Sequence, residues 1–348
     1  MRYKKLGNSA QDVSIIGLGT MTWGEQNSRQ EAFQQMDYAM SKGVNLFDAA
    51  ELYPVPPKPE TAGNTETYIG DWMADRACRN AVVLATKVVG RSDGLGGSAH
   101  IRGGSRLNRD HIRRAIDGSL SRLRTDTIDL YQVHWPERVT NFFGQRGYRH
   151  APDDDAIEIG ETLTALGELV DEGIVKHIGI SNETCWGLME YLRLSEQRGL
   201  PRVVSIQNPY SLLARQYEVG LAEMGIRESV GLLAYSPLAF GVLSGKYRNG
   251  QLPDGSRLAM FKRFSRYTGP LSQAATEAYA QVARRYDLTL TQISLAFVCR
   301  QDFVTSCLIG ATTQEQLTEN IASCEVELSA DLLQELEEVS HAHPDPAA

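Results

Sequence analysis

Three ionisable residues close three successive apolar runs of the chain: Asp48 ends the run 44–48, Lys87 ends 82–87, and His134 ends 128–134. Tyr53 follows Asp48 by five residues. If the runs are neighbouring strands, their ends share one rim, and a carboxylate, an ammonium, an imidazole and a phenol converge there. That set suits proton transfer to and from an oxygen. A free tyrosine titrates near pH 10, too high for easy proton exchange at neutrality. The Lys87 cation is expected to favour the phenolate and lower that value, by about a unit or more where water is excluded. Asp48 would hold Lys87 in place and charged, and His134 would hydrogen-bond the substrate oxygen. Taken singly, Asp48–Lys87 reads as a structural ion pair and His134 as a core histidine. All four at adjacent strand ends outweigh that reading, because buried charges are rarely gathered at a rim without use.

The elements that must position these residues follow from periodicity. Apolar, β-branched runs recur at 15–20, 44–48, 82–87, 128–134, 178–182, 203–208, 232–236 and 304–310, each followed by a helical pattern. Eight buried strands alternating with helices predict a parallel sheet closed into a (β/α)8 barrel. Asn108 is placed to cap a helix whose apolar stripe is Ile112, Ile116, Leu120 and Leu123; Leu163, Leu166 and Val170 repeat the pattern before the fifth run. Gly43, Gly173 and Gly199 stand where helix C-caps are expected. The alternative is an open doubly wound sheet with a dinucleotide fingerprint at Gly17-Leu18-Gly19, but position 22 is Thr and the fingerprint fails. Three long connections, 90–106, 136–156 and 239–272, follow strand C-termini, the face on which barrel enzymes keep their chemistry, and read as lids or binding loops.

A second group of residues suits a dinucleotide. Ser181, Asn182 and Gln207 end the fifth and sixth strands with the donor–acceptor mix that a planar carboxamide needs. Tyr235 ends the seventh and offers a ring for stacking. Thr312-Thr313-Gln314-Glu315 reads as a capping box that opens a short helix through Gln316, Glu319 and Asn320, at the phosphate position of barrels. The loop 239–272 carries Lys246, Arg248, Arg257, Lys262, Arg263 and Arg266; most are expected to be solvated, and Lys246 and Arg257 are singled out for phosphate. Ser244-Gly245-Lys246 is not a P-loop, since position 240 is Phe and 247 is Tyr. Gly94-Leu95-Gly96-Gly97 lacks a strand-to-helix context and reads as a flexible lid.

Composition bounds the rest. The 348 residues are 42% hydrophobic with a net charge of −8, which argues against a nucleic-acid or anionic-membrane binder. Five scattered cysteines without a CxxC make a disulfide framework or structural zinc site improbable, and no metal is expected. No apolar leader or spanning segment is readable, so a cytoplasmic protein without membrane contact is expected. No repeat or linker divides the chain, which is expected to form one domain over residues 1–348, with a frayed tail at 341–348. Oligomeric state is not readable.

These residues resemble the aldo-keto reductase superfamily. Asn45-Leu46-Phe47-Asp48-Ala49-Ala50-Glu51-Leu52-Tyr53, Ala85-Thr86-Lys87 and Val133-His134 are similar to its catalytic segments. Gly179-Ile180-Ser181-Asn182, Tyr235-Ser236-Pro237-Leu238 and Ile309-Gly310-Ala311-Thr312, with the run 315–320, are similar to its cofactor segments. Met21-Thr22-Trp23-Gly24-Glu25-Gln26-Asn27 and His134-Trp135-Pro136 resemble the bacterial Tas-type branch. The resemblance implies a TIM barrel with an N-terminal hairpin and long loops on the C-terminal face. It implies reduction of an aldehyde or ketone by hydride from nicotinamide C4, with Tyr53 as general acid. NADP(H) is then expected rather than NAD(H), held also by Thr20, Met21, Asp48 and Gly241. Many members place Lys at Gly310 and Arg at Gln316 for the 2′-phosphate. The related potassium-channel β subunits have Gly and Gln there, with Lys and Arg matching Lys246 and Arg257, and take NADPH. Those subunits suggest a second reading, a nucleotide-sensing module, although they have Asn where this chain has His134. A Schiff-base lyase or aldolase using Lys87 is a third.

Overall fold

The computed structural model describes residues 1–92 and 98–347. A short antiparallel hairpin of β1 (Tyr3–Lys5) and β2 (Asp12–Ser14) precedes the barrel. The barrel strands are β3 (Ile16–Gly19), β4 (Leu46–Asp48), β5 (Val83–Val88), β6 (Ile128–Val133), β7 (Val175–Ser181), β8 (Val203–Pro209), β9 (Gly231–Tyr235) and β10 (Val304–Ile309). All pair in parallel, and β10 returns to β3 with Cys307 opposite Ile16, closing the ring. Every residue of β5, β6 and β10 is buried, as expected of parallel strands covered on both faces, so these strands are predominantly apolar and show no alternation with exposed positions. The open-sheet alternative is excluded by the closed ring.

Helices cover the outside where their stripes demand it. The helix Arg109–Leu123 is capped by Asn108, whose side chain accepts the His111 N–H, and it buries Ile112, Ile116 and Leu123 while Leu120 is half-buried. Leu163 and Leu166 of the helix Ile159–Asp171 are buried likewise. Gly43, Gly173 and Gly199 follow their helices with positive φ.

Two boundaries differ from expectation for identifiable reasons. β7 begins at Val175 rather than 178, because exposed Lys176, paired with Asp129 at 2.7 Å, interrupts the apolar run. β4 begins at Leu46 rather than 44: the Asn45 side chain accepts the Ser14 N–H and donates to Asp12 O, tying that residue to the hairpin.

The hairpin plugs the N-terminal end of the barrel. Leu6 and Val13 pack with Leu46, Leu130, Val204, Leu233 and Leu308 in a small core distinct from the large one under the helices. Gly7 has a φ of +57°, and a Cβ there would lie 2.1 Å from Val204 O, so only glycine fits this turn. Lys4 Nζ donates to Gln301 O and Val304 O at 3.0 and 2.6 Å.

The tail, expected to fray, is tied down instead. Arg146 donates to Asp345 O and Ala347 O, Gln216 to Ala347 O, and Ser272 to Pro346 O, and Ala347 is buried. Its backbone carbonyls find donors on three distant segments, so nothing local in the sequence signals the docking. No helix among the described residues is long and apolar enough to cross a membrane.

Candidate active site

Asp48 is the last residue of β4, Lys87 the penultimate residue of β5, and His134 follows β6, so the strand register brings them to one rim. Lys87 is fully buried; its Nζ lies 2.6 Å from Asp48 Oδ2, 2.7 Å from Ala49 O and 3.4 Å from the Tyr53 hydroxyl. The His134 ring meets the Tyr53 ring edge-on at 5.6 Å. Asp48, Tyr53 and His134 face a cleft of about 630 Å3 at the C-terminal end of the barrel; Lys87 does not line it and acts on it only through its neighbours.

Burial and charge set the protonation states. Burial pushes the Tyr53 phenol above its ordinary value, and the opposing pull of Lys87 is smaller. The expected depression by Lys87 is therefore corrected: the cation acts in the expected direction, but desolvation outweighs it. Burial alone would depress Lys87, yet Asp48 and Tyr53 together more than offset it and hold the ammonium above its ordinary value. The His134 imidazole is held well below its usual range, first by burial and then by Lys87, and its Nδ1 is buried without a partner among the described residues.

A neutral buried histidine has a stability signature. With the folded pKa below the unfolded value of about 6.5, the unfolded chain binds the extra proton. Stability is therefore full above that pH and falls as pH drops below it, until the folded imidazole itself titrates. Between pH 6.5 and 5.5 the wild type is expected to lose about 1 kcal/mol more than His134→Gln in urea unfolding. Equal losses in the two proteins would show that the native imidazole is charged.

Every residue expected to hold the dinucleotide lines the same cleft. Many of their polar groups satisfy one another. The Tyr235 hydroxyl donates to Asn182 Oδ1 at 2.7 Å, and Asn182 Nδ2 donates to His134 O at 2.9 Å. Ser181 Oγ donates to Gln207 O, and Thr20 Oγ1 to Asp48 O. Met21, Ser236, Pro237, Leu238 and Gly241 form walls, with Gly310 immediately after the end of β10. The capping residue is Thr313 rather than Thr312: its side chain accepts the Gln316 N–H, while the Gln316 carboxamide turns back to Thr312. Asn320 donates to Gly310 O, and Glu319 accepts from Thr289.

In the loop 239–272, Lys246 and Arg257 reach the cleft, as do Arg263 and Arg266, two cations not singled out from the sequence. Arg248 turns away to Glu277, and Lys262 does not line the cleft. Lys246 and Arg257 have no ion-pair partner among the described residues, and burial depresses both. Gly241 has a φ of +92°, and a Cβ there would stand 2.9 Å from Lys246 Cε, so glycine gives that lysine its path. Gly94, Leu95, Gly96 and Gly97 lie outside the described residues.

Sequence reasoning missed Gln132. Its Nε2 donates to Asp48 Oδ1 at 3.2 Å, and its Oε1 accepts from Gln207 Nε2, which itself donates to Asp48 Oδ1 at 2.9 Å. The signal was available: Gln132, in β6, stands two residues before His134, the spacing that puts side chains on one side of an extended chain. Trp135, Phe143 and Phe240 also line the cleft; the two phenylalanines sit in long loops with no periodicity to betray them. No cluster of metal-ligating side chains occurs among the described residues.

Comparison with known proteins agrees with this geometry. A family model described as "Aldo/keto reductase family" matches residues 15–341. "Protein tas" of Escherichia coli (strain K12) is 51% identical over 347 residues, 100% of both chains. The "Aldo-keto reductase" of Babesia bovis is 38% identical over 254 residues, 69% of this chain and 88% of that protein. The "Uncharacterized oxidoreductase YrpG" of Bacillus subtilis (strain 168) is 34% identical over 341 residues, 97% of this chain and 96% of that protein.

Proposed function

The chain belongs to the aldo/keto reductase family and is an oxidoreductase of small carbonyl compounds, and on that premise we propose that it reduces aldehydes or ketones with NADPH, with Tyr53 as the acid. Residues 1–348 are read as one domain. The observation that carries the proposal is the Lys87–Tyr53 contact of 3.4 Å, with Asp48 holding the ammonium from behind.

The cleft fits an extended dinucleotide. Lys246 and Arg257 are half-buried cations without a counter-ion among the described residues, which suits phosphate. Ser181, Asn182 and Gln207 offer hydroxyl and amide groups for the carboxamide, and the helix N-terminus after Thr313 faces the other end. When bound, NADPH supplies a hydride to the carbonyl carbon.

The protein's own residues manage the proton. Burial keeps the Tyr53 phenol protonated at neutral pH, ready to donate to the carbonyl oxygen. As negative charge passes to the phenol oxygen, Lys87 stabilises it at close range, and Asp48 keeps Lys87 charged. Neutral His134 orients the substrate carbonyl oxygen by a hydrogen bond. The lyase reading loses ground, because a Schiff-base lysine needs a depressed pKa and Lys87 has the opposite. NADPH oxidation against a panel of aldehydes and ketones tests the reading; no turnover on any would return it to a nucleotide-sensing module.

Because Lys246 and Arg257 are cleft cations without a counter-ion among the described residues, they are read as the pair that meets a 2′-phosphate, and NADPH is expected to bind at least about tenfold more tightly than NADH. Arg257→Gln should erase most of that ratio. Fluorescence titrations giving equal dissociation constants in the wild type would remove the NADP assignment while leaving the reductase.

A further inference from the structure

A second cavity, of about 210 Å3, shares no lining residue with the cleft; Glu51, His100, Arg102, Arg114 and Arg122 face it. The Arg102 side chain is 9% exposed, and its Nη1 donates to the buried Glu51 carboxylate. Its Nε and Nη2 are buried and have no hydrogen-bond partner among the described residues. These two N–H groups form one edge of the guanidinium, the side-on fork that meets two oxygens of an oxyanion. His100 Nε2 is likewise buried and unpartnered. Unpaired buried polar groups are costly; the two fixed donors of Arg102, with a His100 Nε2 that donates in its Nε2–H tautomer, surround one small cavity and call for a single acceptor with several oxygens.

The surrounding charge agrees. Arg122 spends its Nε on Glu66 at 2.7 Å, but Arg114 reaches Asp110 only at 3.5 Å and is available to a ligand. The nearby His111 imidazole is depressed first by burial and then by Arg102 and Arg114, in keeping with a positive field. Arg102 has a φ of +51°, a conformation that L residues seldom hold without a surrounding reason.

The geometry points to a second binding site, apart from the cleft, for a phosphate group: free phosphate or a small phosphomonoester on the Nε–Nη2 edge of Arg102 and Nε2 of His100, with Arg114 beside it. Its occupant shares Arg102 with Glu51. That carboxylate accepts the Val89 N–H at 2.6 Å, and the Glu51 N–H donates to Lys87 O at 3.3 Å. The site thus abuts the junction between the Lys87 strand and the segment leading to Tyr53.

The test is calorimetric titration of inorganic phosphate into the Lys246→Gln/Arg257→Gln protein at constant ionic strength in chloride. That double change removes two of the four cleft cations; phosphate held by the other two, Arg263 and Arg266, would be indifferent to changes at His100 and Arg114, which line only the second cavity. One saturable site with a Kd of about 1 mM is expected, weakened about tenfold by His100→Phe and by Arg114→Gln, neither of which touches the Glu51–Arg102 pair. Glycerol 3-phosphate binding more tightly than phosphate assigns the ester as ligand; weaker binding assigns the free ion. No saturable heat, acetate binding as tightly as phosphate, or binding indifferent to both substitutions would overturn the site.

Discussion

Replacing Tyr53 with phenylalanine is expected to slow turnover by at least about a hundredfold while moving NADPH affinity by less than a factor of a few. The change removes only a hydroxyl, so the ring keeps its edge-on contact with His134 and its place in the cleft wall. The loss corresponds to what a positioned general acid contributes. Lys87→Met should bring turnover down comparably, because the phenolate left after proton donation would lose the cation 3.4 Å away and stand desolvated. The double variant should be hardly worse than either single one, since the two residues act as a unit. Single-turnover kinetics on a good aldehyde measure all three. A Tyr53→Phe protein with wild-type turnover would mean that another group is the acid.

Asp48→Ala is expected to cost about 3–5 kcal/mol of stability, the usual consequence of leaving one partner of a buried ion pair behind. Lys87 would keep only Ala49 O and the Tyr53 hydroxyl, and the amides of Gln132 and Gln207 would lose their shared acceptor. Without its carboxylate the buried ammonium should fall below its ordinary pKa and penalise the fold where it must be charged, so the variant should gain stability relative to wild type as pH rises above neutrality. Adding Lys87→Met should restore part of the loss, because no uncompensated charge then remains. Urea unfolding of the two singles and the double gives the coupling directly. A loss under about 1 kcal/mol for Asp48→Ala, with no recovery in the double, would show that water reaches Lys87.

The eight strands were legible because a closed parallel barrel buries both faces, leaving runs such as 128–133 with no exposed position to blur them. The ionisable strand ends stood out for the same reason: Asp48 and Lys87 interrupt otherwise apolar runs. Gln132 interrupts one too, but a neutral amide in mid-strand carries no obvious chemistry until its partner on β8 is seen across the barrel. Arg266 and Phe240 were illegible as lining residues because loop side chains obey no period. The Tyr53 shift was misjudged because a sequence shows the Lys87 charge but not the depth of the burial that opposes it. The tail failed for a related reason: its acceptors are backbone carbonyls, which every residue has.

The hairpin plug also dictates when the barrel can finish folding. Residues 3–19 are made early, yet Lys4 bonds to Gln301 and Val304, Gly7 nests against Val204 and Ser229, and β3 takes one edge from β10. Each of these partners lies roughly two hundred or more residues downstream, so although β1 pairs with β2 and β3 with β4, a nascent chain carries one edge of β3 unpaired until the last strand is available. Such long-range closure makes contact order high and folding slow. Until then the incomplete ring exposes two open edges to other chains.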